Sequence, residues 1–191
     1  MAKHPIDLVP FTPGDLTDHQ HGTDDILTGV DFSTNILIGD AGGSMFDFSS
    51  GGNDTFTGGA ASTNTFYGDA AGSMFDHSKG GNDTFIGGDG ALADGFVIPS
   101  TNIFYGDAGG NMSGHAQGGD DTFTATFDPT LLSQDSNTFY GDAGGDMSDF
   151  AKGGNDTFTG GLGFNHMIGD AGGNMSGHAP GGDDTFTGGR V

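Results

Sequence analysis

The chain has 191 residues, of which 40 are glycine and only 32% are hydrophobic, so apolar burial alone is a weak source of stability. Its formal net charge is −22, with 26 acidic residues against four lysines and arginines. Such a chain is repelled by nucleic-acid phosphates and by anionic membrane surfaces, and no apolar run reaches the ~20 residues of a membrane-spanning helix. Cations are instead the natural partners of this negative charge. The absence of cysteine separately excludes disulfides and thiolate metal sites.

Residues 1–21 lie outside the repeats of the chain and are predicted to form an N-terminal polar cap. The first 18 of them lack the basic start and the hydrophobic core of a cleavable signal peptide, so export would use another route. Residues 22–191 are predicted to form a single repeat domain.

Five copies of a Gly-Asp-Ala-Gly/Ala-Gly block make up this domain, and a Gly-Gly-Asn/Asp-Asp-Thr-Phe block begins 12 residues after the start of each one. The first blocks begin at Gly39, Gly68, Gly106, Gly141 and Gly169. A weaker opening copy occupies residues 23–29, and the spacings between the five full copies are 29, 38, 35 and 28 residues. Self-similarity of this kind is typical of stacked repeat architectures.

Each repeat contains three short β-prone pieces between glycine-rich turns, for instance residues 64–67, 73–77 and 83–86. Helix is excluded because each interior glycine costs about 1 kcal/mol relative to alanine. In the third piece Phe56 is predicted to point inward, and its neighbours Thr55 and Thr57 outward. The predicted inward residues are Leu37, Phe66, Phe104, Phe139 and Met167 in the first piece, Met45, Met74, Met112, Met147 and Met175 in the second, and Leu27, Phe56, Phe85, Phe123, Phe158 and Phe186 in the third.

Strands of about four residues bury little by themselves, but parallel coils stack their inward residues into a continuous interior. The sequence therefore predicts an all-β chain of parallel coils. Repeat length varies almost only at residues 87–100 and 125–136, which favours one repeat per turn. The extra residues there form either loops or an additional irregular strand.

One repeat per turn brings equivalent aspartates about 4.8 Å apart, which is the spacing of adjacent strands. Two carboxylates at that distance repel by ~1 kcal/mol in bulk water and by ~3 to 4 kcal/mol at an effective dielectric constant of 20. Bare columns of this kind would push the coils apart. The two columns are Asp40, Asp69, Asp107, Asp142 and Asp170 after the first piece, and Asp25, Asp54, Asp83, Asp121, Asp156 and Asp184 before the third.

Either protons or cations must therefore neutralise these columns. An environment of Asp, Asn and turn carbonyl oxygens suits several Ca²⁺ ions, each with six to eight flexible oxygen ligands. Glycines beside the aspartates allow the backbone to aim carbonyl oxygens at an ion. Mg²⁺ is disfavoured because it demands near-ideal octahedral geometry, and Zn²⁺ lacks its usual ligand clusters.

Residues 160–168, Gly-Gly-Leu-Gly-Phe-Asn-His-Met-Ile, resemble the nonapeptide G-G-x-G-x-D-x-U-x of the repeats-in-toxin (RTX) family of calcium-binding proteins, with Asn in place of Asp. The resemblance extends over about residues 22–189. It implies a right-handed parallel β-helix or β-roll of about five coils, with Ca²⁺ in the turns and folding that depends on the ion. By position it adds the predicted metal ligands Asn64, Asn102, Asn137 and Asn165 to the column that begins at Asp25.

The repeat departs from the family in length, since family turns take about 18 residues and two strands, whereas this one takes about 29 residues and three. Either the coil is three-sided or two repeats make three turns. RTX proteins are typically secreted by bacteria, so a secreted structural or interaction module is the expected function. A protein or glycan partner is left open.

Other interpretations compete with calcium binding. Asp and Asn also cap turns, but capping alone does not explain the net charge. The methionine column is expected to be core, and the column Phe48, His77, His115, Phe150 and His178 a solvated face. An enzyme is not expected, because no catalytic set lies outside the repeat pattern. Ice or polysaccharide binding is the alternative function, suggested by paired outward threonines such as Thr122 and Thr124.

Overall fold

A computed structural model describes residues 13–126, 128–131 and 134–189. These residues contain 13 β-strands and no helix, and therefore no helix that could span a membrane. The prediction of an all-β chain is confirmed.

Two parallel sheets contain 11 of the strands. The six-stranded sheet consists of β1 (Ile26–Thr28), β3 (Thr55–Thr57), β5 (Thr84–Ile86), β9 (Thr122–Thr124), β11 (Thr157–Thr159) and β13 (Thr185–Thr187), in that order. The five-stranded sheet consists of β2 (Thr34–Ile38), β4 (Thr63–Tyr67), β8 (Thr101–Tyr105), β10 (Ser136–Tyr140) and β12 (Phe164–Ile168), also in chain order.

Pairing in both sheets joins equivalent residues of successive repeats. Phe56 pairs with Phe85, which pairs with Phe123, and the same one-repeat step holds in the other sheet. Each repeat therefore contributes one layer, and the arrangement is consistent with a β-solenoid.

The middle piece of each repeat forms only single-residue parallel bridges. The prediction that this piece is a strand of about four residues is therefore wrong. The bridges join Leu16 to Met45 and then each methionine to the next, as far as Met175. Two residues after Met45 and Met74 the backbone turns sharply, because Asp47 and Asp76 both have a φ of 57°. A left-handed residue at this point ends the extended conformation.

The longer insertion is an antiparallel hairpin of β6 (Ala91–Ala93) and β7 (Phe96–Ile98). Its turn residues Asp94 and Gly95 have φ values of 51° and 82°, as a two-residue Asp-Gly hairpin turn requires. The alternative left open for residues 87–100 is thus decided in favour of extra strands. The other insertion includes residues 127, 132 and 133, which lie outside the described part of the chain.

Two separate apolar clusters fill the interior. One contains the phenylalanines of both sheets, which meet across the interior with ring centroids 5.5 Å apart, as for Phe85 and Phe104. The other contains the methionine column together with buried alanines such as Ala70 and Ala108. The predicted inward residues are buried here except in the last described layer, where Phe186 is 51% and Met175 43% exposed because no further described repeat covers them.

The column of histidines and phenylalanines lies on the outside, as predicted. His77 and His115 are exposed and stack with ring centroids 4.8 Å apart, and Phe150 is 54% exposed. No cluster that could hold a metal ion is formed by these histidines in the described residues.

Candidate metal centre

Both predicted aspartate columns point into the interior. The first column contains Asp40, Asp69, Asp107, Asp142 and Asp170, and the second contains Asp25, Asp54, Asp83, Asp121, Asp156 and Asp184. In the middle repeats these side chains are at most 1% exposed. Strand alternation explains the second column, because Asp83 and the buried Phe85 lie on the same side of the chain and the outward Thr84 lies between them.

The second column is held by backbone donors of the preceding repeat. The N–H of Asp54 donates to Oδ1 of Asp83 at 2.7 Å, and the N–H of Asp83 donates to Oδ1 of Asp121 at 2.7 Å. The same bond joins Asp121 to Asp156 at 2.8 Å. One oxygen of each carboxylate is therefore fixed in orientation, while the other is left for a different partner.

The first column is fixed by the glycine-rich turn of its own repeat. The N–H of Gly81 donates to Oδ1 of Asp69 at 2.9 Å, and the N–H of Gly119 donates to Oδ1 of Asp107 at 2.8 Å. These bonds join the two glycine-containing blocks of a repeat, which begin 12 residues apart in every copy. They place the first column opposite the second.

The second carboxylate oxygen has no hydrogen-bond partner in seven of these aspartates. These buried Oδ2 atoms belong to Asp54, Asp69, Asp83, Asp107, Asp121, Asp142 and Asp156. Leaving a buried charged group unpaired is costly, and buried polar atoms are otherwise nearly always satisfied. The seven oxygens, four in the second column and three in the first, therefore each need a proton or a cation as a partner.

Glycine carbonyl oxygens converge on the same places. A Cβ at Gly68 would lie 1.8 Å from Oδ2 of Asp83 and 1.9 Å from the carbonyl oxygen of Gly106. A Cβ at Gly106 would likewise lie 1.9 Å from Oδ2 of Asp121 and 1.8 Å from the carbonyl oxygen of Gly141. Only a residue without a Cβ allows these oxygens to approach the backbone so closely. At each of these glycines a carboxylate oxygen and a carbonyl oxygen, both acceptors, therefore lie near each other.

These carbonyl oxygens also lack donors. Within the described residues, no hydrogen bond ends on the carbonyl oxygen of Gly68, Gly106 or Gly141, all of which are buried. Buried backbone carbonyls are almost always paired. The interior therefore concentrates acceptors of two kinds, carboxylate and carbonyl, without the hydrogens to satisfy them.

Burial and mutual repulsion disfavour the charged form of these aspartates. Burial, opposed by hydrogen bonds from Gly52 and Thr23, raises the pKa of Asp40 from 3.8 to about 6. Burial, followed by repulsion from Asp40, raises the pKa of Asp54 to about 8. In the middle of the stack, burial and then neighbouring aspartates raise the pKa of Asp69 and of Asp107 well above 3.8.

Calcium fits this donor set. No group of three or more His, Cys, Asp or Glu side chains that could hold a metal ion is found in the described residues, so a site would combine carboxylates with main-chain oxygens. Both donor types are hard oxygens, which Ca²⁺ prefers, and its flexible coordination tolerates their mixture. The sequence predicted both the aspartates and carbonyl oxygens of the glycine-rich turns as ligands, and a glycine directly precedes every aspartate of the first column.

The predicted asparagine ligands Asn64, Asn102, Asn137 and Asn165 form a separate ladder. Nδ2 of Asn64 donates to Oδ1 of Asn102 at 2.9 Å and to the carbonyl oxygen of Gly59 at 3.0 Å. Its Oδ1 accepts from the N–H of Gly59 and from Asn35. This pairing favours a structural role, and the prediction that the asparagines bind metal stays a prediction.

Comparison with known proteins adds no relative. No protein-family model, no curated protein sequence and no solved structure matches this chain. The functional argument therefore depends on the site itself, and the likeness to RTX repeats remains a resemblance of motif.

Proposed function

We propose that this chain is a calcium-binding repeat protein of the RTX type, a right-handed β-solenoid whose folding and rigidity depend on several Ca²⁺ ions. The observation that supports it best is the set of seven buried carboxylate oxygens without a partner, distributed over the two aspartate columns. Ions between successive repeats would satisfy these oxygens and cancel the repulsion along both columns. In this proposal the chain is a structural or interaction module and not an enzyme.

The ions would lie in the interior. Between two middle repeats, Oδ2 of Asp83 and the carbonyl oxygen of Gly106 face one site and could both be ligands there. The carboxylates of Asp69 and Asp107 offer further ligand oxygens and are within hydrogen-bonding reach of each other. Two carboxylates this close require a proton or a cation between them. Calcium supplies positive charge there, and the chain supplies the fixed oxygens.

Binding of this kind is linked to folding. An ion that binds only the folded chain stabilises it by about 2.7 kcal/mol per site at 100 times its dissociation constant. Several such sites together would be comparable to the whole stability of an ordinary domain, which is about 5–15 kcal/mol. Without the ion the chain would be disordered and self-repelling, and a secreted bacterial protein would become rigid on reaching calcium outside the cell.

Circular dichroism of the full chain tests this proposal. At neutral pH we expect a β spectrum and a cooperative melt in excess Ca²⁺, and loss of both when a strong chelator is added. Mg²⁺ at the same concentration is the control for ion specificity. An unchanged spectrum and melting temperature in chelator would refute the proposal.

A further inference from the structure

The outer face of the six-stranded sheet has an unusual composition. Its 12 outward side chains are ten threonines and the two isoleucines Ile26 and Ile86, and none is charged although the chain carries a net charge of −22. We call this surface the threonine face. Its threonines are Thr28, Thr55, Thr57, Thr84, Thr122, Thr124, Thr157, Thr159, Thr185 and Thr187.

The threonine face is regular in two directions. Thr55, Thr84 and Thr122 are direct neighbours in register, and the same row continues through Thr157 to Thr185. Neighbouring strands are about 4.8 Å apart, and outward residues along a strand are about 6.6 Å apart. Threonine is β-branched and stiff at χ1, so the hydroxyl and methyl groups repeat with the backbone.

The face is also flat. Directly beneath it the phenylalanines of β3, β5, β9, β11 and β13 stack with centroids 4.8–4.9 Å apart and ring planes within 3–6° of parallel. Ordinary neighbouring strands are rotated by about 20–25°, and sheets that stay flat over many strands are unusual. The aromatic stack thus keeps the threonine array close to a planar lattice.

We propose that the threonine face binds ice. A planar lattice of hydroxyl and methyl groups matches a partner that is itself periodic in two directions, and a crystal surface of water is such a partner. The hydroxyls would replace water molecules at lattice positions, while the methyl groups would lie between them. The absence of charge favours this partner, because charged side chains hold their own hydration shells.

Other partners fit the face less well. Protein interfaces are enriched in Tyr, Trp, Phe and Arg, and aromatic rings supply much of their contact area. The threonine face has no aromatic and no basic side chain. The outward tyrosines Tyr67, Tyr105 and Tyr140 belong to the five-stranded sheet, on the other side of the phenylalanine cluster.

The five-stranded sheet provides an internal control. Its outward residues mix types within a row, as in Thr65, Ile103 and Thr138, so it carries no threonine lattice. Thr138→Tyr on β10 of this sheet and Thr122→Tyr on β9 of the threonine face introduce the same side chain at outward positions of strands that are paired on both sides. Only the second interrupts the lattice.

Thermal hysteresis and inhibition of ice recrystallisation, measured on the full chain in calcium, test this inference. We expect activity in the native chain, loss of most of it in Thr122→Tyr and little change in Thr138→Tyr. Thr157→Tyr is a second variant of the face, and far-UV circular dichroism checks that each variant is folded. Adsorption of the fluorescently labelled native chain to a single ice crystal gives a readout that needs no variant.

A folded native chain that shows neither hysteresis nor adsorption to ice would overturn the inference. Equal losses in Thr122→Tyr and Thr138→Tyr would also overturn it, because the effect would not belong to the threonine face. Retention on insoluble cellulose or chitin without any effect on ice would assign the face to polysaccharide instead. Each of these results leaves the calcium dependence of folding untouched.

Discussion

The phenylalanine cluster and the aspartate columns show opposite consequences of the same stacking. Phe85 and Asp83 lie two residues apart, on the same side of the chain, and both stack on equivalents in the adjacent repeats. For the phenylalanines this stacking buries apolar surface and stabilises the fold. For the aspartates it brings like charges together in the interior. A repeat protein multiplies whatever one layer contributes, so its stability depends on the group that neutralises the aspartates.

The largest contrast is expected in the pH dependence of stability. The folded pKa is raised to about 8 for Asp54 and about 9 for Asp156, above the ordinary 3.8, by burial first and then by neighbouring aspartates. The calcium-free folded chain therefore binds protons more tightly than the unfolded chain. Its stability should increase by several kcal/mol as the pH falls from about 9 towards 4, since each pKa unit corresponds to about 1.4 kcal/mol.

In saturating calcium the slope should have the opposite sign, because protons displace the ion from its carboxylates. Melting temperatures in calcium, and the fraction of β structure in chelator, measured across this pH range, check both slopes. Parallel curves in the two buffers would show that protons and calcium do not compete for the same aspartates.

Phe104→Ala should weaken the phenylalanine cluster and leave the aspartate columns unchanged. The ring is fully buried and stacks on Phe66 at 4.7 Å and on Phe139 at 5.1 Å, so its truncation leaves a cavity and should cost about 3–5 kcal/mol. Chemical denaturation in calcium measures this loss, and the stoichiometry of bound calcium should not change. Phe150→Ala, at an exposed ring of the outer column, is the matched control, for which we expect a loss below about 1 kcal/mol.

Asp107→Asn should have a smaller effect than Phe104→Ala. It separates the two roles of the carboxylate, which are to accept a hydrogen bond and to carry a negative charge. The amide oxygen can still accept from the N–H of Gly119, but one charge is removed between Asp69 and Asp142. The repulsion removed is about 1–2 kcal/mol, so in chelator we expect acidification to fold this variant at a higher pH than the native chain, and in calcium we expect weaker binding. The exposed Asp146→Asn is the control for net charge. A variant that folds in chelator only at a lower pH than the native chain would contradict the repulsion argument.

Much of this structure could be predicted from the sequence because the repeats align equivalent residues. The inward phenylalanines and methionines follow from alternation and period, as does the vertical stacking of Asp83 on Asp121. The short bridges at Met74 could not be foreseen, because they depend on the left-handed backbone of Asp76.

The different roles of the aspartates and the asparagines could be recognised only from the three-dimensional structure. Both residue types form columns, but Asn64 meets the N–H and carbonyl of Gly59 and is fully paired, whereas Asp83 keeps one oxygen without a partner. Sequence spacing indicates that residues stack, but it does not show which of their atoms find donors. That difference separates a structural ladder from a candidate metal site.

Calcium titration calorimetry on the metal-stripped full chain at neutral pH, with native mass spectrometry of the end point, tests the central claim most directly. We expect saturable binding of several ions per chain, accompanied by the appearance of β structure. A chain that is already compact in strong chelator, and that takes up no calcium when it is added, would contradict the account.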